Sequence, residues 1–106
     1  MRAAEAQRDL VTRRYFDNEG RLTSMPAKLS RQAVLFDLIA QRFVPGVRYT
    51  EPEVNRELMT IWPDYVSLRR GLVDHGMLDR AAGQYWRSGG TVDVGPEPAG
   101  EADDGR

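Results

Sequence analysis

Apolar residues recur at helical spacing in three stretches of this chain, each bounded by proline, glycine or a capping side chain. The clearest stretch follows Ser30. Val34, Leu35, Leu38, Ile39 and Phe43 fall at steps of one, three and four, the broad stripe that one face of a helix buries. Ser30 is placed to cap its start, and Pro45-Gly46 stops it. The second stripe is Val54, Leu58 and Ile61, introduced by Thr50-Glu51-Pro52-Glu53. That tetrapeptide is a capping box: the Thr50 hydroxyl accepts from the Glu53 N–H, and the Glu53 carboxylate accepts from the Thr50 N–H. Both glutamates also suit the positive end of the helix dipole. Pro63 then breaks the pattern and restarts it. A third helix is expected from about Pro63 to His75, burying Tyr65, Leu68 and Leu72 and ending at Gly76, which is free to turn left-handed.

The flanks read differently. Ala3 to Arg14 is rich in helix formers, with Leu10 and Val11 as its apolar pair. Asp17-Asn18-Glu19-Gly20 is a turn, and Arg21 to Ser24 a short strand before Pro26. After Gly76 the period becomes two. Met77–Arg80 and Gln84–Arg87 are expected to form strands around a three-residue connection, Ala81-Ala82-Gly83. Alternation puts Gln84 and Trp86 on one face and Tyr85 and Arg87 on the other, so one aromatic belongs to the core. Helix, helix, helix, hairpin gives a mainly α fold with a small β-hairpin (α+β), a winged helix-turn-helix. The chain divides into an N-terminal helical segment at 1–14, the winged-helix-like domain at 15–88, and a Gly/Pro-rich acidic tail at 89–106. The tail lacks apolar periodicity and is expected to be disordered.

Composition narrows the chemistry. The chain has 106 residues, a formal charge of −1, and no cysteine, which excludes disulfides, thiolate metal sites and cysteine nucleophiles. The charge is uneven. Residues 89–106 hold five acidic side chains and one arginine, leaving 14 basic and 11 acidic in residues 1–88, about +3. That is mildly basic, well short of a dedicated nucleic-acid binder. No stretch has the roughly 18–20 apolar residues of a membrane span, and the first residues carry no apolar signal core, so a cytoplasmic protein is expected.

The residues also carry a family resemblance. Tyr15-Phe16-Asp17, Gly20-Arg21-Leu22, Pro26-Ala27-Lys28, Phe43-Val44-Pro45-Gly46, Tyr49-Thr50-Glu51, Glu53-Val54-Asn55, Asp64-Tyr65, Leu68-Arg69-Arg70, Leu72-Val73-Asp74 and Leu78-Asp79-Arg80 together resemble the bacterial domain of unknown function DUF2087 over roughly residues 10–87. The resemblance implies a winged-helix-like fold. It also implies an association with transcription regulation, since such domains occur alone or behind a separate DNA-binding helix-turn-helix. Two positions depart from the family pattern: Gly71, where a charged residue is common, and Leu29-Ser30, where further basic residues follow the lysine.

Two functional readings stand. In the first, the third helix and the hairpin engage duplex DNA through Lys28, Arg31, Ser67, Arg69, Arg70, Arg80 and Arg87. Arg70 points away from the core, beside Ser67, Gly71 and Asp74. Lys28 and Arg31 oppose the dipole of the helix they begin, which hints at a task elsewhere. Arg69 alternatively pairs with a carboxylate such as Glu57 or Asp79. In the second reading, Trp62, Val66 and Val73 form an apolar patch for a protein partner or a second copy. No catalytic set is legible. His75 is the single histidine, Asp74 diverges from it by about 100°, and Ser67 lies roughly 12 Å up the axis. No enzyme activity, metal, cofactor, membrane or small-molecule ligand is expected.

Overall fold

Among the residues that the computed structural model describes, 2–90, the order is α1 (Arg2–Tyr15), α2 (Leu29–Ala40), β1 (Tyr49–Thr50), α3 (Glu51–Met59), α4 (Tyr65–Asp74), β2 (Leu78–Ala81) and β3 (Gln84–Arg87). Four helices and a small three-stranded antiparallel sheet make an α+β domain. The acidic tail expected beyond Ser88 lies, from residue 91 on, outside the described residues.

The helix boundaries follow local chemistry, with two corrections. The Thr50 box forms as read: its hydroxyl accepts from the Glu53 N–H at 3.3 Å, and Glu53 accepts from the Thr50 N–H at 2.8 Å. For α4 the cap is Asp64, one residue beyond Pro63, with its carboxylate accepting from the Ser67 N–H at 3.2 Å. A carboxylate at that position satisfies a free donor, which proline's fixed φ cannot do. For α2, Ser30 is already inside the helix. Lys28 holds the cap position without a side-chain bond, and Gln32 ties the first turn to the Pro26 carbonyl at 2.9 Å. Gly76 ends α4 at φ 77°: the Met77 N–H reaches back to the Leu72 carbonyl at 2.8 Å and the Gly76 N–H to Val73 at 3.0 Å.

The sheet departs from a plain hairpin. Tyr49 and Thr50 form a third strand, so β3 is central and the order is β1-β3-β2. Two residues are too few to show alternation, which is why the sequence pattern misses them. The β2–β3 connection has two residues, not three. Ala82 (φ 52°) and Gly83 (φ 78°) are both left-handed, as the twist of a tight hairpin demands, and Ala81 pairs with Gln84. The strand expected at Arg21–Ser24 is reduced to one bridge between Phe16 and Leu22, with the Leu22 N–H donating to the Ile61 carbonyl at 2.9 Å.

One core runs through all the helices. Val11, Leu35, Val54, Leu58, Leu68 and Leu72 are fully buried, and Phe43, Ile61, Leu78 and Tyr85 nearly so. Val11 and Tyr15 bring α1 into the same cluster, and Leu38 packs half-buried at its margin. Tyr85 is thus the hairpin's core aromatic. Gly71, expected on the free face of α4, instead sits against the Phe36 ring of α2. No helix among the described residues is long and apolar enough to cross a membrane.

Candidate nucleic-acid interface

Strand register decides where the hairpin's charges go. Arg80 pairs across the ladder with Tyr85, so both project from the helix-facing side of the hairpin. On α4, Arg69 and Val73 stand one turn apart on the flank that meets them. Between helix and hairpin lies a cleft of about 330 Å³ lined by Arg69, Arg70, Val73, Asp74, Arg80 and Tyr85. Three of the arginines named from the sequence therefore converge on one depression.

Hydrogen bonds tie the cleft to a neighbouring depression of about 200 Å³, which is lined by Glu51 and shares Arg80 and Tyr85 with it. The Arg80 guanidinium donates to the Tyr85 hydroxyl at 3.4 Å, and that hydroxyl donates to a Glu51 carboxylate oxygen at 3.1 Å. The other Glu51 oxygen lies 3.7 Å from Arg69 Nη2, while Arg69 Nη1 donates to the Asn55 side-chain oxygen. Arg69 is thus paired, but with Glu51 and Asn55 rather than with Glu57 or Asp79; Glu57 takes Arg42 at 3.0 Å instead. The Arg69 side chain is only 14% exposed, so its guanidinium is held in place, whereas Glu51 is 44% exposed. Held guanidiniums in this fork geometry suit phosphate or carboxylate oxygens.

Across α4 a second depression of about 310 Å³ reaches Gln32 of α2 and Ser67. Arg70 and Asp74 line both depressions and form the ridge between them. Ser67 spends its hydroxyl on the α4 cap, donating to Asp64 at 2.6 Å. That bond, then the Ser67 N–H and, more weakly, the charge of Arg70, hold the Asp64 carboxyl below its ordinary range.

The remaining residues named from the sequence scatter. Lys28 is exposed at the start of α2. Arg31 Nη1 reaches the Tyr15 hydroxyl at 3.4 Å, and neither basic residue lines the cleft. Arg87 shares the sheet face of Arg80 but stands opposite Leu78, away from the cleft. It is 9% exposed, and its guanidinium donates to the Ala40 carbonyl at 2.7 Å and the Phe43 carbonyl at 3.1 Å. It closes the C-terminal end of α2, because alternation puts it on the Tyr85 face, under the sheet. Trp62 and Val73 pack half-buried against the core, and Val66 is half-buried. Glu51, Asn55 and Tyr85 belong to the site and are not in the sequence-derived set. Glu51 is masked by its evident value at a helix start, and nothing in linear spacing links residue 51 to 69 or 85. Among the described residues no three His, Asp or Glu side chains gather as a metal site.

The matching family model covers residues 21–87, from the turn before α2 to the end of β3. The chain belongs to the DUF2087 family. DUF2087 is described as an uncharacterised protein conserved in bacteria. The matched span holds every residue of the cleft and Glu51 and Asn55 beside it, while α1 precedes it. No curated protein and no solved structure matches the chain.

Proposed function

We propose that this DUF2087 domain is a winged-helix module that contacts duplex DNA through the cleft between α4 and the β2–β3 hairpin, as part of transcription regulation. The winged-helix reading is supported by the order α2, β1, α3, α4, β2, β3, in which β3 pairs with both other strands and the hairpin stands beside α4. The observation that carries the functional reading is the convergence of Arg69, Arg70 and Arg80 on one depression. Phosphate contacts by arginine set register and supply most non-specific affinity. Arg70, on the ridge, is the residue placed to reach a base edge or a second phosphate.

The cleft is modest in charge. Three guanidiniums are set against Asp74 in the lining and Glu51 in the adjoining depression, so binding is weak and salt-dependent. The protein-contact alternative has no comparable convergence, since Trp62 and Val73 give apolar surface to the core. The domain is read as a binding module without catalytic machinery, acting in the cytoplasm where the DNA is.

The test is fluorescence anisotropy on a labelled mixed-sequence duplex of about 20 base pairs across a salt series. Two phosphate contacts, by Arg70 and Arg80, give a slope of log K against log salt of about −1.8, Arg69 being already engaged by Glu51. Arg70→Ala and Arg80→Ala should each flatten it by about 0.9. No binding at low salt, or a slope indifferent to both substitutions, overturns the proposal.

A further inference from the structure

Glu51 is used twice, and the two uses pull against each other. At the first position of α3 it favours the helix dipole. Beside the cleft, in the adjoining depression, its carboxylate lies against Arg69 and the Tyr85 hydroxyl, the positions an anionic ligand oxygen would take. We infer that Glu51 is a resident competitor in this cleft, an internal carboxylate standing in for phosphate on Arg69, which sets how tightly a phosphodiester binds. This rests on the cleft being a phosphate site, as proposed above, and adds the residue that limits its affinity.

The geometry separates holding from charging. Arg69 keeps a second partner, Asn55, so it stays in place when Glu51 lets go. The Tyr85 hydroxyl accepts from Arg80 while donating to Glu51, so one carboxylate influences two of the three arginines. A phosphate oxygen entering the cleft meets Arg70 and Arg80 directly. It gains Arg69 only by displacing a contact already at 3.7 Å. With Glu51 in place the guanidinium at residue 69 is partly neutralised, and a phosphate also feels the repulsion of a nearby carboxylate.

Glu51→Gln isolates the effect, because the amide oxygen still accepts from Tyr85 while the charge is gone. Glu53→Gln is the control. It removes one negative charge from the same helix turn, keeps the capping box, which takes glutamine as well as glutamate, and touches no cleft arginine. In the anisotropy titration above, E51Q should bind the duplex about five-fold tighter than wild type at low salt, with a slope steeper by about 0.9 as Arg69 takes up a phosphate. E53Q should leave the slope unchanged. Wild-type binding with E51Q no tighter than E53Q overturns the competitor role and leaves the phosphate cleft standing. Absence of binding by wild type, E51Q and E53Q alike overturns both. Thermal melts of the three proteins confirm that all are folded, so a loss of binding cannot be mistaken for a loss of structure.

Discussion

Gly71→Ala sets two rules against each other, and the structure says which wins. In an exposed helix the change stabilises, since alanine is favoured over glycine by about 1 kcal/mol. At residue 71 a Cβ would lie 2.2 Å and 2.4 Å from two atoms of the Phe36 ring and 2.9 Å from a third. Ordinary carbon contacts begin near about 3.5 Å, so the ring has to retreat by more than about 1 Å. It has little room: Phe36 is 4% exposed, and its ring stacks on His75 with centroids 4.8 Å apart. Forcing one extra carbon into such a contact costs about 1–3 kcal/mol, and the closeness here points to the upper end. Against the gain in propensity, the net is destabilisation by about 2 kcal/mol.

For a domain of this size that is a fall in melting temperature of roughly 8–16 °C, read by circular dichroism at 222 nm and checked by urea unfolding. The cause is tested by a double-mutant cycle with Phe36→Leu. Shortening the ring opens the space, so F36L/G71A should be less destabilised than the sum of the single changes. A G71A protein as stable as wild type, or strict additivity in the cycle, refutes the close α2–α4 packing.

Three other substitutions and titrations follow from the same structure. Ala82 holds φ 52° in a two-residue turn whose favoured sequence is Asn-Gly, so Ala82→Asn should stabilise by about 0.5–1 kcal/mol in urea titrations; destabilisation would show that the turn is not of this type. Arg87→Met keeps the aliphatic stem but takes the guanidinium from the Phe43 carbonyl and from the Ala40 carbonyl, which keeps the Phe43 N–H, so it should cost about 1–3 kcal/mol in urea unfolding, and DNA affinity per folded molecule should stay at the wild-type level. The Asp64 carboxyl, held low by Ser67, should titrate below its ordinary 3.8 when followed by carbon-13 NMR. Because the folded value is depressed, its contribution to stability is present above the unfolded value and is lost as pH falls through the folded one. In Ser67→Ala, which removes the hydroxyl, the titration should move back up; no movement would mean another group holds Asp64 down.

What the sequence makes legible here is whatever a short window can express. The stripe of Val54 and Leu58, the Thr50 box and the left-handed Gly76 each depend on residues a few positions apart, and each appears in the fold as read. The two helix starts misread from sequence, Ser30 and Pro63, fail for different reasons: α2 begins at Leu29 with no side-chain cap, so no local signal marks it, and at α4 the Asp64 carboxylate next to Pro63 takes the cap. Gly71 illustrates a harder limit. Its linear neighbours make it look like a weak point on a solvent face, whereas its partner is Phe36, 35 positions away.

The candidate site shows the same limit with consequences for function. The sequence offers five arginines, a lysine and a serine as polar contacts, and only their placement in the fold sorts them. Strand register puts Arg80, Tyr85 and Arg87 on one face of the sheet, and place along the ladder separates them: Arg80, opposite Tyr85, stands beside α4, and Arg87, opposite Leu78, reaches the end of α2, although both looked like wing residues. From that face the Tyr85 hydroxyl meets the Glu51 carboxylate that also faces Arg69, a triad spread over three elements that no local pattern links. A sheet of three short strands therefore does two jobs. Its central strand seals the core with Tyr85 and Arg87, and the ring of Tyr85 carries its hydroxyl to the cleft edge. Packing thereby fixes the charge arrangement: any change that shifts β3 by one residue removes Tyr85 from the core and dismantles the cleft in the same step.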